Sequence, residues 1–250
     1  MIEKNALAYV NAFALLGTIP ALCREVDEAR ELIKNEKISL GFKVKGGPCM
    51  TLVFKDGECT LVRGTDGCDI LLAFSSAEKF NGMIDGTVTP IPRRGLLKVG
   101  FLLKRFMPLT DILTRYLRAS DEDLANREFF EISTRLMFSV ISNALVELAN
   151  NDSVSRFSAS NMVDGTVRLA ILDECEARIG IKDHTLSLED PDSAYSAYMV
   201  FPDIDVARAL FDGKINAVAA VGLGKVRIGG MICNIDNLNR VLDRVSVYLQ

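Results

Sequence analysis

An internal repeat is the feature that most constrains this chain of 250 residues. When the sequence is laid on itself so that Phe74 meets Phe201, identical pairs collect in one ungapped window. Ordinary residue frequencies would give roughly one or two matches there by chance. The window contains seven: Phe74 with Phe201, Asp85 with Asp212, Gly86 with Gly213, Gly95 with Gly222, Leu96 with Leu223, Lys98 with Lys225 and Val99 with Val226. All seven pairs are separated by the same number of residues as Phe74 and Phe201, and we call this separation the repeat offset. It predicts two copies of one domain.

The boundary between the copies is predicted near residue 120. Ser120 with Asp123 has the spacing of a capping box that opens a long helix, so the predicted domains are residues 1–119 and 120–250. Tyr116 and Leu117 near the end of the first copy correspond to Tyr248 and Leu249 in the second. Upstream of the matched window, the sequences of the two copies do not align.

Each copy is predicted to mix helices and strands. In the second copy, Asp203 is expected to cap a helix over 204–211 that Gly213 ends. The other predicted elements there are strands at 154–160, 165–172, 177–181 and 197–201, a hairpin of 215–221 with 225–231, and a helix capped by Asp236. The first copy is predicted to contain helices at 5–16, 18–33, 76–84 and 109–117, and strands at 39–44, 50–54, 59–62, 70–74, near 88 and at 96–102.

This order of elements resembles the sterol-carrier-protein-2 family. The residues that carry the likeness run from Phe201-Pro202-Asp203 through Gly213-Lys214 and from Gly224 through Gly230, and the first copy matches them at 74–86 and 95–99. The resemblance implies an α+β fold in which each copy is a curved sheet of about five strands backed by helices. It also implies a tunnel for a fatty acyl chain, an acyl-CoA or a sterol-like molecule, with no chemistry of its own.

The candidate walls of such a cavity are apolar residues of both copies. Small residues at Ala217, Ala219 and Ala220 would leave room for a ligand or, equally, permit close packing of a helix on the sheet. The alternative function is therefore a structural or dimerisation module with filled cores, which includes a homo-oligomer. The candidate wall residues are Met199, Phe201, Leu210, Phe211, Val218, Val221 and Ile228 in the second copy, and Phe74, Leu97 and Phe101 in the first.

Catalytic and metal chemistry find little support in the sequence. His184 is the only histidine and lies in a polar stretch, which argues against a catalytic triad or a histidine-rich metal site. The acidic run around Cys175 is interpreted as a turn between strands, with an enzyme that uses Cys175 as a weaker alternative. No catalytic residue, metal ligand or cofactor is predicted.

The net charge and the cysteines limit which partners and which cellular compartment are expected. A formal net charge of −4 argues against a general nucleic-acid binder. The six cysteines form no CxxC pair and no signal peptide is recognised, which predicts a cytoplasmic protein with reduced thiols. The stretch Arg93 to Arg118 carries seven Lys or Arg and one acid, interleaved with leucines. It could make transient contact with an anionic membrane, but the interpretation favoured is that the leucines are core positions and the charges are solvated.

Overall fold

The computed structural model of the protein describes residues 2–215 and 217–249. The chain forms two compact units, unit 1 (Met1–Leu136) and unit 2 (Met137–Gln250), and the division falls within one long helix. Each unit contains a five-stranded mixed sheet with helices, which confirms the predicted α+β class. The predicted domain boundary between residues 119 and 120 stays a prediction.

Unit 1 begins with a long helical stretch that precedes its sheet. Its α-helices are α1 (Lys4–Tyr9), α2 (Ile19–Glu25), α3 (Asp27–Ile33), α4 (Ala77–Ile84), α5 (Val99–Phe101), α6 (Met107–Leu117) and α7 (Asp121–Leu124). Its strands are β1 (Lys37–Val44), β2 (Cys49–Lys55), β3 (Glu58–Arg63), β4 (Ile70–Phe74) and β5 (Pro92–Arg94). Helical turns of other types, at Val10–Leu15, Leu16–Thr18, Leu96–Lys98 and Leu102–Phe106, join these helices.

Unit 2 repeats the same layout after the long helix α8 (Arg127–Asn151), which crosses the division. Its other helices are α9 (Ser153–Ala159), α10 (Ile204–Phe211), α11 (Ala217–Gly222) and α12 (Ile232–Tyr248). Its strands are β6 (Gly165–Ile171), β7 (Cys175–Lys182), β8 (Thr185–Glu189), β9 (Ala197–Phe201) and β10 (Arg227–Gly230).

The two sheets have the same strand order and the same register. Their orders are β3-β2-β1-β4-β5 and, read from the other end, β8-β7-β6-β9-β10. In the parallel pair of unit 1, Leu40 lies opposite Ile70, and in unit 2 Val167 lies opposite Ala197, each displaced by the repeat offset. The antiparallel pairs β1–β2 and β6–β7 keep this offset as well. The duplication therefore extends upstream into the part where the sequences do not align.

Local capping chemistry explains the paired short helices. The Ser76 side chain accepts a hydrogen bond from the Lys79 amide at the start of α4, and Asp203 accepts one from the Val206 amide at the start of α10. Such caps satisfy amides that a helix cannot bond internally. The two caps are related by the repeat offset, like the helices that follow them, and the predicted Asp203 cap is confirmed.

The predicted hairpin of 215–221 with 225–231 is wrong. Residues 217–222 form helix α11, and β10 instead pairs antiparallel with β9. Alanine is the best helix former, which outweighs the β-branched residues in this short stretch. Gly224 adopts a left-handed φ of +68°, and the Lys225 amide then bonds the Ala220 carbonyl at 2.8 Å, so the helix ends there.

Two further predicted strands are also helices. The stretch 154–160 lies largely in α9, because Asp152 caps it by accepting a hydrogen bond from the Ser155 amide. Residues 96–102 are helical, and Val88 lies in a bend after α4. The only strand in this part, β5, is three residues long, because prolines at positions 90 and 92 cannot donate to a sheet.

Two predicted caps need correction. Asp236 lies inside α12, which begins at Ile232, and its carboxylate pairs with Arg240 on the exposed face. Ser120 does accept a hydrogen bond from the Asp123 amide, but it caps the short α7. The long helix starts afterwards, where the Asn126 side chain accepts from the Phe129 amide.

The sequence match of Gly95 with Gly222 does not hold in the structure. Gly95 follows β5 with φ +81°, and a Cβ added to it would strike the Asp69 carbonyl. The glycine with this conformation in unit 2 is Gly230, with φ +80°, where a Cβ would strike the carbonyl of Ser196, the counterpart of Asp69. The copies therefore differ in length between the short helix and the last strand, so one ungapped window could not align both ends.

Two helical stretches, Lys4–Glu25 and Arg127–Asn151, are long and apolar enough to span a membrane by length and composition alone. Of their most apolar windows, 67% and 56% of the residues are buried inside the protein. Core helices of soluble proteins pass the same test, so these stretches are weak indications of membrane insertion. In Lys4–Glu25, apolar residues such as Phe13 and Leu22 belong to the core of unit 1.

Candidate ligand-binding site

The candidate wall residues of unit 2 lie on β9 and the helix that follows it. Met199 and Phe201 on β9 are buried, and Leu210 and Phe211 on α10 are half-buried. The rings of Phe201 and Phe211 meet edge to face with their centroids 5.8 Å apart. The structure therefore brings the strand and helix parts of the predicted site together.

One further candidate of unit 2 lies at the edge of the sheet, next to β9. Ile228 on β10 pairs with Met199 on β9 and is half-buried, as is Val221 on α11. Leu223, directly after α11, is exposed. The side chain of Val218 lies outside the described residues. Half-buried apolar side chains of unit 2 thus lie on α10, α11 and β10.

The small residues of α11 follow a helical pattern of exposure. Ala220 is fully buried, whereas Ala219 is exposed. They belong to a helix and not to the strand that the sequence suggested. A larger side chain at Ala219 would therefore point to solvent and would not test whether the interior has room.

The candidates of unit 1 do not come together. Phe74 and Phe101 are buried, with Phe74 against Phe80 and Phe101 against Phe54, both at centroid distances of 5.2 Å. Leu97 is fully exposed in the helical turn after β5. Aromatic rings thus fill the interior of unit 1, while the assignment of cavity walls stays a prediction for both units.

Equivalent sheet positions carry smaller side chains in unit 2. The helix-facing positions of β1, β2 and β4 form the buried core of unit 1. Their counterparts at the repeat offset are Gly165 for Ile38, Val167 for Leu40, Leu169 for Phe42, Ala177 for Met50, Ile181 for Phe54 and Ala197 for Ile70. Four other positions keep similar or larger residues: Ile171 for Val44, Ile179 for Leu52, Met199 for Leu72 and Phe201 for Phe74.

The short helix shows the largest difference of this kind. Phe80 on α4 is fully buried between the rings of Phe42 and Phe74. Its counterpart on α10 is Ala207, which is also fully buried. Since both sheets keep one register, the same scaffold is lined by less side-chain volume in unit 2. Such an interior can either draw its helices closer or accept an apolar ligand.

A buried ionic cluster fixes the last helix of unit 2. The Asp152 carboxylate is fully buried and accepts hydrogen bonds from the Arg244 guanidinium at 2.9 Å and the Tyr248 hydroxyl at 2.7 Å. Burial acts to raise the pKa of Asp152, but the hydrogen bonds from Arg244, Tyr248 and Ser155 outweigh it and lower the pKa to about 2. The cluster ties α9 to α12 and serves as a structural anchor.

Two open concavities of about 420 and 440 Å³ lie on unit 1, and neither is lined by a described candidate residue. The larger one is bordered by Cys23 and Cys59. A hydrogen bond from the Cys59 thiol lowers the pKa of Cys23, and the same contact, together with burial, raises the pKa of Cys59. Both thiols are buried, so they are part of the core.

The residues considered for chemistry are dispersed. His184 lies exposed in the tight turn between β7 and β8 with a left-handed φ of +60°. Cys175 is half-buried at the start of β7. Within residues 2–215 and 217–249, no group of three His, Cys, Asp or Glu is arranged to hold a metal ion.

Comparison with known proteins gives structural neighbours only. No protein-family model and no curated protein matches the chain. Among the solved structures, one described as a UbiJ-SCP2 ubiquinone synthesis protein is 12% identical, covers 44% of this chain and 96% of its own, and has a TM-score of 0.35. The sterol carrier protein domain 2 of Helicoverpa armigera is 17% identical over 49% of this chain and 93% of its own, with a TM-score of 0.35.

A third neighbour is the apo form of sterol carrier protein 2 from Yarrowia lipolytica, 14% identical over 43% of this chain and 91% of its own, with a TM-score of 0.32. Each of these three neighbours covers a little under half of the chain. At these TM-scores the likeness carries no argument about this chain's ligand. The strand orders and registers of the two sheets carry the assignment of a duplicated α+β fold.

Sequence reasoning missed the positions that distinguish the two interiors. Gly165 and Leu169 were not among the candidates, because the copies could be aligned only downstream of Phe74 and Phe201. Ala207 lies inside the aligned window, opposite Phe80, but only identical pairs were compared there. The signal was present in the sequence, since the repeat offset also relates the upstream strands. Extending that offset upstream would have paired Ile38 with Gly165 and Phe42 with Leu169.

Proposed function

We propose that unit 2 binds a long apolar molecule, such as a fatty acid, an acyl-CoA or a sterol, between its sheet and its helices, and carries it without chemical change. The observation that supports this most is the replacement of Phe42, Phe54 and Phe80 by smaller residues on a scaffold of unchanged register. Binding would be driven by the removal of apolar surface from water, worth about 25 cal/mol per Å² before ordering costs.

The proposed entrance lies along α10, α11 and β10. Half-buried Leu210, Phe211, Val221 and Ile228 give these three elements apolar surface that is partly exposed. β10 is the last strand of its sheet, so within the described residues no further strand pairs with its outer side. A ligand chain entering here would meet Met199 and Phe201 next.

A structural role is the second candidate function, and the core of unit 1 favours it for that unit. Phe42, Phe74 and Phe80 pack ring against ring there, and Phe54 packs against Phe101. Such a core leaves little volume for a ligand. In this proposal unit 1 has a structural role without a ligand, and unit 2 carries the ligand.

Ala207→Phe is expected to abolish ligand binding, because it places in unit 2 the ring that Phe80 places in unit 1. Native mass spectrometry of the full chain with palmitic acid, palmitoyl-CoA or cholesterol provides the measurement. The wild type should retain one ligand per chain and the variant none. Hydrogen exchange of β6 and β9 should show that the variant remains folded.

The matched control is Ala125→Phe, which adds the same ring at an exposed position of unit 1 and should leave binding unchanged. The carrier proposal fails if the wild type stays at its apo mass with all three probes. If Ala207→Phe then also lowers the stability of unit 2 by about 1–3 kcal/mol through overpacking, the interior is already filled and the structural module replaces the carrier.

A further inference from the structure

The segment of residues 91–107 in unit 1 exposes an unusual amount of apolar surface. It runs from the loop before β5 through the helical turns that lead into α6. The assignment of its leucines to the core is wrong for three of them. The exposed apolar side chains are Ile91, Leu96, Leu97, Leu103 and Met107, with exposed fractions from 52% at Met107 to complete exposure at Leu97.

Two buried aromatic side chains fix which face of this segment points outward. The ring of Phe101 packs on Phe54 at 5.2 Å, and that of Phe106 packs on Phe42 at 5.8 Å. With these two anchored in the core, most of the residues between and before them are exposed, whereas Leu102 packs against the core. Gly100, between the exposed leucines, would meet nothing within 4 Å if it carried a Cβ. The exposed apolar side chains therefore belong to a segment that is anchored on the core, with open space at Gly100, and not to a loose loop.

The charges of the 91–107 segment are all positive. It contains five Lys or Arg, and no Asp or Glu occurs between Asp85 and Asp111, although the whole chain has a net charge of −4. Lys98 and Arg105 form ion pairs with Asp69 and Glu36.

Two other cations of the segment remain available to a partner. In the part of the chain that the structure describes, Arg93 and Lys104 are exposed and have no ion-pair partner. They flank the exposed leucines in sequence, one before Leu96 and the other directly after Leu103. The segment thus presents cations without an ion-pair partner next to exposed apolar side chains.

We propose that the 91–107 segment docks unit 1 onto an anionic membrane surface, with the leucines at the boundary of headgroups and acyl chains and with Arg93 and Lys104 at lipid phosphates. Exposed aliphatic side chains interleaved with cations match the chemistry of that boundary. A second copy of this chain fits less well, because two such surfaces would place like charges against each other. Docking does not depend on whether unit 2 holds a ligand.

The test is co-sedimentation of the full chain with phosphatidylcholine vesicles and with mixed phosphatidylcholine–phosphatidylserine vesicles. We expect binding to the mixed vesicles that weakens as salt is raised. Each basic residue near such a surface contributes roughly fivefold to partitioning, so Arg93→Gln with Lys104→Gln should lower it by about 25-fold. Leu97→Ser with Leu103→Ser should also reduce binding, by removing the inserted side chains.

The control for charge is Arg156→Gln with Lys182→Gln, which removes two exposed cations of unit 2 and should change partitioning little. Ala207→Phe should still bind vesicles, which separates docking from the carrier proposal. The proposal is overturned if both vesicle types bind equally or not at all, or if the Arg93/Lys104 variant binds like the wild type. It is equally overturned if the chain is a dimer that Leu97→Ser with Leu103→Ser converts to a monomer.

Discussion

Replacing Phe80 with alanine should lower the free energy of unfolding of unit 1 by about 3–5 kcal/mol. The ring is fully buried and lies 6.2 Å from that of Phe42 and 5.2 Å from that of Phe74, measured between centroids. Without the ring, the protein loses the free energy of transferring that ring from water to the core. It also loses the van der Waals contacts that the surrounding side chains made with the ring. Since folded domains are stable by only about 5–15 kcal/mol, this change removes a large share of the total.

The measurement for Phe80→Ala is hydrogen exchange by mass spectrometry, which follows each unit separately. Amides of β1 and β4 should lose protection while those of β6 and β9 keep it. Phe157→Ala is the control, because that ring is exposed on α9 and its loss should cost less than about 0.5 kcal/mol. A cost below about 1 kcal/mol at Phe80 would contradict a tightly filled core in unit 1.

Alanine at the same position of unit 2 shows how far the copies have diverged. Ala207 occupies on α10 the place of Phe80 on α4, and Leu169 occupies on β6 the place of Phe42 on β1. The strand register is the same in both units, whereas the side chains at these two interior positions are smaller in unit 2. A duplicated fold can in this way hold one copy rigid and leave the other free to acquire a ligand.

The elements that sequence reasoning predicted are those with strong local signals. The strands predicted at 50–54 and 59–62 are β2 and β3, and Asp56 and Gly57 between them adopt the positive φ angles that a tight turn requires. Asp203 and Gly213 bound α10 because one side chain caps its start and the other residue adopts the left-handed conformation after its end. In each case the chemistry of one or two residues decides the conformation.

The elements that were missed depend on contacts distant in sequence. Short apolar runs such as 96–102 fit a strand or a helix equally well, and packing of Phe101 and Phe106 on the sheet selects the helix. In the candidate site, β9 and α10 could be predicted, whereas the helical state of α11 and the exposure of Leu97 could not. Tertiary packing, which the pattern does not contain, decides both.

Asp152→Ala should destabilise unit 2 by about 3–5 kcal/mol, because it leaves the Arg244 guanidinium largely buried without its partner and removes the cap of α9. Thermal unfolding combined with hydrogen exchange of α9 and α12 measures the loss. Asp236→Ala is the control, since its pair with Arg240 is exposed on the same helix and should be worth less than about 1 kcal/mol. Adding Arg244→Leu to Asp152→Ala should recover part of the stability of unit 2. If the double variant is less stable than Asp152→Ala alone, the loss does not come from an unpaired charge on Arg244.

The same carboxylate should give unit 2 an acid-dependent stability. Because the pKa of Asp152 is lowered from its ordinary 3.8 to about 2 in the folded protein, its contribution is complete above about pH 5 and is lost as the pH falls towards 2. The lowering corresponds to about 2 kcal/mol. In urea titrations from pH 5 to pH 2, the wild type should therefore lose about that much more stability in unit 2 than Asp152→Ala. Parallel losses in the two proteins would mean that other carboxylates cause the acid dependence and that the Arg244 and Tyr248 contacts do not stabilise the charged form of Asp152.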